Sequence, residues 1–116
     1  MNMSFEYVGD VGVVHVAEPR IDASVAIEFK DRFRDLAGSG HGDVVLDLSD
    51  VAFLDSSGLG AVVAARKLLG GDRTLALAGL TPAVDKVMTL TRMNTVFPIH
   101  PDLDAALAPD DGEGRG

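Results

Sequence analysis

The chain contains no cysteine and no tryptophan, and one of its 116 residues is tyrosine. Without cysteine there are no disulfides, no thiol nucleophile and no cysteine-ligated metal site, which fits a reducing compartment. Basic residues are also few, since 10 Lys and Arg stand against 18 Asp and Glu, giving a net charge of −8. Because nucleic-acid affinity depends largely on Lys and Arg, we expect no direct nucleic-acid partner. An acidic surface favours a basic protein partner, or serves only solubility.

We expect neither a signal peptide nor a membrane-spanning segment in this sequence. Residues 1–6 have neither the basic flank nor the apolar segment of a signal peptide. No apolar run approaches the length that spans a bilayer. We therefore expect a cytoplasmic protein with no membrane partner. With 116 residues and 47% hydrophobic content, the chain is long enough for one domain with a core and too short for two.

A central block of sequence organises the chain. The nearly continuous β-branched run Val44–Leu48 predicts a strand buried on both faces. The run of small and apolar residues from Ser56 to Leu69 predicts a helix. Gly58 and Gly60 lie near the start of this helix and should let its first turn approach neighbouring backbone closely.

The start of this helix is the first candidate site. Asp55 and Ser56 are good N-cap residues, and Ser57 follows them. The hydroxyls therefore lie where backbone N–H groups are unpaired and the helix dipole is positive, a place that tolerates added negative charge. We hypothesise that one of the two serines is a phosphorylation switch. For Ser57 we favour a structural hydroxyl bonded to backbone.

The flanking sequence predicts a regular alternation of elements. Asp22 stands where an N-cap would precede the first helix, and residues 18–21 are expected to form a loop. The first helix should end in the glycines of residues 38–42, which favour a left-handed C-cap. Thr81 and Pro82 predict an N-cap and a first helical residue. The predicted strands are Phe5–Val8, Val11–Val16, Val44–Leu48, Thr74–Ala78 and the edge strand Val96–Ile99. The third helix is predicted to bury a stripe of Val84, Val87, Met88 and Leu90. A small last helix is predicted over Asp102–Leu107.

These elements predict an α/β fold. The strand, helix and strand around residues 44–78 form a βαβ unit, whose strands should be parallel. We expect a single domain over residues 1–108, with a mixed, mainly parallel sheet of four to five strands, flanking helices and a leading edge hairpin. Residues 109–116 are polar and glycine-rich and are predicted to be a disordered tail.

Three motifs carry a resemblance to a known family. They are Leu46–Leu48, Phe53–Gly60 with its Asp-Ser-Ser-Gly-Leu-Gly core, and Leu80–Val84 with its Pro-Ala-Val helix start. With these motifs the chain resembles the STAS domain, the family of bacterial anti-sigma factor antagonists, over roughly residues 5 to 107. The central motif is much more specific for one family than a lone pair of glycines would be.

The resemblance implies a partner-switching protein. Such an antagonist in its unphosphorylated form binds an anti-sigma factor that is also a serine kinase, which releases the sigma factor. Phosphorylation of the motif serine, here Ser56, breaks the complex, and a serine phosphatase restores it. The resemblance also implies a partner contact at Asp22 in the loop before the first helix, where this chain has Pro-Arg-Ile-Asp in place of Gly-Glu-Leu-Asp. The second helix would be the recognition surface, so that the implied partner-binding residues are Asp22, Asp55, Ser56, Ser57, Gly58 and Leu59.

Other functions remain open at this stage. Within the family, the domain could be a constitutive docking subunit of a transporter or stress-signalling complex. Outside it, the alternative is a small hydrolase or nucleotide-binding enzyme. A hydrolase would need a base and an oxyanion hole, and the Gly-x-Ser-x-Gly elbow is absent. The dinucleotide fingerprint lacks its third glycine, and no Gly-Lys-Ser/Thr phosphate loop occurs. No cofactor and no enzyme activity are expected, because ATP would belong to the partner kinase. A metal site is not favoured, since no defined ligand spacing links the acidic residues around the central strand, Asp43, Asp47, Asp50 and Asp55.

Overall fold

The computed structural model describes residues 1–108, so the predicted tail lies outside the described residues. The elements in chain order are strands β1 (Met3–Val8), β2 (Val11–Val16) and β3 (Arg20–Ile21), helix α1 (Ala26–Phe33), strands β4 (Val44–Asp47) and β5 (Phe53–Leu54), helix α2 (Ser56–Leu69), strand β6 (Leu75–Ala78), helix α3 (Pro82–Leu90), strand β7 (Ile99–His100) and helix α4 (Leu103–Leu107). A π-helical turn, Arg34–Gly38, extends α1, and a 3-10 turn, Met93–Thr95, follows α3.

A mixed sheet of five strands organises these elements in the order β1-β2-β4-β6-β7. The first two strands form an antiparallel hairpin in which Val8 pairs with Val11, and Gly9 has a positive φ of 61°. A glycine in this conformation at the first of two loop residues is typical of a type II′ turn. The other neighbouring pairs are parallel, so the predicted mixed, mainly parallel α/β fold and its βαβ unit are confirmed.

The main core lies between the sheet and helices α1 and α2. All four residues of β4 are buried, as predicted for a strand covered on both faces. Leu46 packs in one cluster with Phe29 and Phe33 of α1 and with Val62 of α2, and all four side chains are fully buried. Helix α4 lies near β4, β6 and β7.

A second, two-stranded sheet corrects the prediction that residues 18–21 form a loop. Strand β3 pairs in parallel with β5, placing Arg20 beside Phe53 and Ile21 beside Leu54. The carbonyl of Pro19 extends this pairing, since it accepts from the backbone N–H of Ala52 at 2.7 Å. A strand of two residues has no periodicity, and therefore no sequence pattern predicts it.

Two of three local predictions about helix ends and faces are wrong. In the loop 38–42, Gly42 has a left-handed φ of 80°, whereas α1 runs into the π-helical turn without a left-handed cap. Thr81 and Pro82 are the N-cap and first residue of α3, as predicted, and the Thr81 hydroxyl donates to the Val51 carbonyl at 2.7 Å and not to the helix. Leu90 is 73% exposed, so the buried stripe of α3 ends with Met88.

Candidate functional site

The predicted start of the central helix is confirmed at Asp55. This residue has an extended backbone, and its Oδ1 accepts from the Gly58 N–H at 2.8 Å. Its Oδ2 accepts from the Ala23 N–H at 3.2 Å. One carboxylate therefore caps α2 and also ties it to the turn that follows β3.

Gly58 explains why α2 lies so close to β3. A Cβ atom at this position would stand 2.0 Å from the Ile21 carbonyl oxygen and 2.8 Å from Cδ1 of Leu54. The close approach predicted for Gly58 is thus confirmed. The same prediction is wrong for Gly60, where a Cβ atom would have nothing within 4 Å.

Ser56 and Ser57 form the first turn of α2, and both residues are exposed. Within residues 1–108, neither hydroxyl makes a hydrogen bond, so the structure does not support the backbone bond expected for Ser57. Leu59 is half-buried beside them. The helix start therefore presents two unengaged hydroxyls next to the carboxylate of Asp55.

Asp22 lies near this helix start, but it is not the N-cap of α1. That helix begins at Ala26, and its N-cap residue, Val25, carries no capping side chain. Asp22 instead closes a turn, with Oδ1 accepting from the Ser24 N–H at 3.1 Å and from the Ser24 hydroxyl at 2.6 Å. The prediction of an α1 cap is wrong because an aspartate can stabilise an Asx turn as readily as a helix start.

Arg20 gives Asp22 a second partner. Its Nε donates to Asp22 Oδ2 at 3.0 Å, and its guanidinium stands 4.8 Å from the centre of the Phe53 ring. The Ser24 hydroxyl first, and also Arg20, lower the pKa of Asp22. Phe53 remains 43% exposed, so an aromatic ring held by an arginine adjoins the turn that Asp55 ties to α2.

A histidine bridge holds the segment between β4 and β5. His15 Nδ1 lies 3.0 Å from Asp47 Oδ2, and His15 Nε2 lies 3.0 Å from Asp50 Oδ2. Asp47 Oδ1 accepts from the Ser49 N–H at 3.0 Å. Sequence analysis missed this bridge, although His15 and Asp47 are paired near the carboxyl ends of neighbouring parallel strands. Because both imidazole nitrogens face carboxylates, His15 has no free nitrogen to act as a base toward the serines.

The bridge shifts the pKa values of two of its members, His15 and Asp47. Partial burial alone would lower the pKa of His15, but hydrogen bonds and charge attraction from Asp47 and then Asp50 raise it. Burial opposes ionisation of Asp47, but the Ser49 backbone and hydroxyl, together with His15, lower the pKa of this carboxyl. The charged forms of the pair therefore support each other.

The acidic residues around β4 make separate structural contacts and do not converge on one point. Asp43 accepts from the Thr74 N–H at 2.9 Å, whereas Asp47 and Asp50 contact His15 and Asp55 caps α2. Among residues 1–108, no group of three or more His, Asp or Glu is placed to hold a metal ion. In the same part of the chain, every helix is too short or too polar to cross a membrane.

The fold and this site define a class of protein: a small α/β domain that presents two serines at the exposed start of its central helix. The family model of the STAS domain matches residues 2–106. The chain belongs to the STAS domain family.

Solved structures show the same fold. An anti-sigma factor antagonist from Mycobacterium paratuberculosis is 30% identical, with a TM-score of 0.82, and the match covers 91% of this chain and 90% of that one. An anti-sigma factor antagonist (STAS) domain protein from Planctomyces limnophilus is 22% identical, with a TM-score of 0.82 and coverage of 90% and 94%. The Bacillus cell fate determinant SpoIIAA in its phosphorylated form is 17% identical, with a TM-score of 0.60 and coverage of 84% and 90%.

Proposed function

We propose that this protein is an anti-sigma factor antagonist controlled by phosphorylation of Ser56. In its unphosphorylated form it binds an anti-sigma factor with serine kinase activity, and the sigma factor is released. Phosphorylation breaks the complex, and a serine phosphatase restores the binding form. The observation that carries the proposal is Ser56 itself, an exposed first residue of α2 that directly follows the capping Asp55.

The helix start accommodates a phosphoryl group on Ser56 without a change of fold. Such a group adds a charge of about −1.5 to −2 and three acceptor oxygens. The positive end of the α2 dipole and the remaining N–H groups of the first turn favour this charge. Asp55 uses the Gly58 N–H, so it competes for only one of these donors. The energetic effect therefore falls on the complex, through repulsion and desolvation at the partner surface.

The proposed partner surface joins the α2 start to the turn after β3. Asp22, Asp55, Ser56, Ser57 and Leu59 contribute side chains to it, whereas Gly58 is buried and contributes by letting α2 approach β3. Asp22 stays ionised through Ser24 and Arg20, and Asp55 adds a second carboxylate. This acidic edge suits a basic patch on the anti-sigma factor.

The comparisons support the regulatory part of this proposal. The Mycobacterium relative is an anti-sigma factor antagonist, and the Bacillus protein of the same fold is known in a phosphorylated form. The protein would act in the cytoplasm as the substrate of its kinase, with ATP bound by the kinase. It would need no cofactor and no nucleic acid of its own.

The test is intact mass after incubation with ATP and each ATPase-fold anti-sigma factor from the same genome. We expect one added phosphoryl group, which is lost in Ser56→Ala and retained in Ser57→Ala. We also expect Ser56→Asp to lose binding to the same kinase. If no kinase modifies the chain while Ser56→Asp binds a partner as the unmodified protein does, the switch is wrong and a constitutive docking subunit is the better description.

A further inference from the structure

A cleft lies at the other end of α2 from the serines. It has a volume of about 500 Å³ and is lined by the last turn of α2, the Gly70–Gly71 turn, the start of β6, and Val96 and Pro98 before β7. Because α2 has 14 residues, its two ends are about 21 Å apart. The cleft is therefore separate from the proposed partner surface, and its volume falls within the range of small-molecule sites.

The charges around this cleft are opposite to those of the molecule. Arg66, Lys67 and Arg73 line it, and no acidic side chain from residues 1–108 does so. The protein has 10 basic residues and a net charge of −8, so three of its few cations converge on one concave surface. Within the described part of the chain, none of the three forms an ion pair. Their positive charge is therefore available to a bound anion.

Arg73 is held in place before any ligand arrives. Its Nε donates to the Gly42 carbonyl at 2.8 Å, and its Nη1 lies 3.4 Å from the Gly38 carbonyl. Its Nη2 is buried and finds no acceptor within residues 1–108. This buried atom lies beside Gly40 and does not face the open cleft, so Arg73 contributes a fixed positive charge to the cleft, and direct hydrogen bonds to an anion fall to the exposed Arg66 and Lys67.

Three of the residues that line the cleft are apolar. Val96 is half-buried, Pro98 is exposed and Leu75 is buried. A purely inorganic ion would leave these side chains uncovered. The cleft therefore combines a cationic rim with an apolar surface for the body of an organic ligand.

We propose that this cleft binds a small organic anion. The phosphate or carboxylate of the ligand lies against Arg66 and Lys67, near the fixed charge of Arg73, and its apolar part packs against Val96 and Pro98. This site is independent of the anti-sigma factor function proposed above, because the ligand would not touch Asp55, Ser56 or Ser57.

The test is an NMR titration of the full chain with phenyl phosphate, in which the shift of each backbone amide is followed. Inorganic phosphate, which has the anionic group without the ring, and phenol, which has the ring without the phosphate, are titrated separately as partial probes. We expect saturable shifts confined to residues 66–75 and 96–98, and tighter binding of phenyl phosphate than of either partial probe. Shifts that stay linear with every probe, or that map to residues 55–59, would overturn the proposal.

Substitution of two exposed basic residues of the cleft distinguishes a specific binding site from general charge attraction. We expect Arg66→Gln with Lys67→Gln to raise the Kd for phenyl phosphate about tenfold, the loss typical of a charged hydrogen bond. The matched control, Lys86→Gln with Arg92→Gln, removes the same charge outside the cleft and should leave the Kd unchanged. Equal weakening by both pairs would also overturn the proposal. Ser56→Asp should bind phenyl phosphate normally, so failure of this site is distinguishable from failure of the switch.

Discussion

Gly58 and Gly60 are identical residues two positions apart in α2, and their surroundings give them different roles. A Cβ atom at Gly58 would collide with the Ile21 carbonyl, whereas one at Gly60 would enter open space. Glycine inside a helix also costs conformational entropy relative to alanine. The same substitution should therefore have opposite signs at the two positions.

We expect Gly58→Ala to lower the free energy of unfolding by about 3 kcal/mol or more, because the contact is with backbone and cannot rotate away. Gly60→Ala should raise it by about 0.5–1 kcal/mol. Urea denaturation of both variants measures the two effects. Equal destabilisation by the two alanines would show that α2 does not pack against β3 as described.

His15 makes stability depend on pH at the residue scale. Its folded-state pKa is raised above 6.5, so its contribution is complete below pH 6.5 and is lost as pH rises through the folded pKa. The pKa of Asp47 is lowered below 3.8, so its contribution is present above that pH and is lost as pH falls through the folded pKa. The bridge therefore stabilises the fold most in the window between these two values.

We expect the urea midpoint to fall as the pH is raised above 6.5, and we expect His15→Gln to remove most of this decline. His41→Gln is the matched control, because His41 contacts the Tyr7 ring and forms no ion pair within residues 1–108. A decline of the same size in His15→Gln as in the unmodified protein would assign the pH dependence to other groups.

At the scale of elements, Asp55 connects α2 to the turn after β3. Its two oxygens serve different segments, Gly58 in the helix and Ala23 in the turn. The Gly58 contact with β3 and the β3–β5 pairing complete this connection. The candidate partner surface therefore depends on one small unit of structure that spans three parts of the chain.

We expect Asp55→Ala to lower the free energy of unfolding by about 1–2 kcal/mol, because both the cap and the tether are lost. Asp55→Asn should keep the cap, since asparagine is also a good N-cap residue, and should lose less. Thermal unfolding of both variants is the measurement. A loss in Asp55→Asn as large as in Asp55→Ala would mean that charge, and not hydrogen bonding, is the main contribution.

At the scale of the whole molecule, α2 separates two surfaces of opposite charge. The proposed partner surface, with its acidic residues, lies at the start of α2 and the basic cleft at its end, about 21 Å away for a helix of 14 residues. Sites at this distance without shared contacts usually behave independently. We therefore expect the two proposed sites to bind a protein partner and a small anion independently.

We expect the effects of substitutions at the two ends to add. We expect a variant that combines Ser56→Asp with Arg66→Gln and Lys67→Gln to lose kinase binding to the same extent as Ser56→Asp alone. Its binding of phenyl phosphate should weaken to the same extent as in the variant with only Arg66→Gln and Lys67→Gln. Its free energy of unfolding should equal the sum of the separate changes to within about 0.5 kcal/mol. A larger departure, measured by urea denaturation and titration, would show coupling along α2.

The sequence by itself determined the elements whose signals are local. The β-branched run of β4, the capping aspartate of α2 and the Thr81–Pro82 start of α3 each lie within a few neighbouring residues, and each is found where predicted. Their order was enough to predict the α/β class and the parallel βαβ unit. The motif around Ser56 was likewise contiguous, so the resemblance to the STAS family was visible from the sequence.

Only the tertiary structure decided the features that join distant residues. Strand β3 exists because residues 20–21 meet residues 53–54, and Asp55 accepts from the Ala23 N–H, which lies 32 positions earlier in the chain. The His15 bridge and the basic cleft likewise bring together side chains from several elements. Such contacts depend on how the elements pack, and local propensity and periodicity carry no information about packing partners far away in the chain.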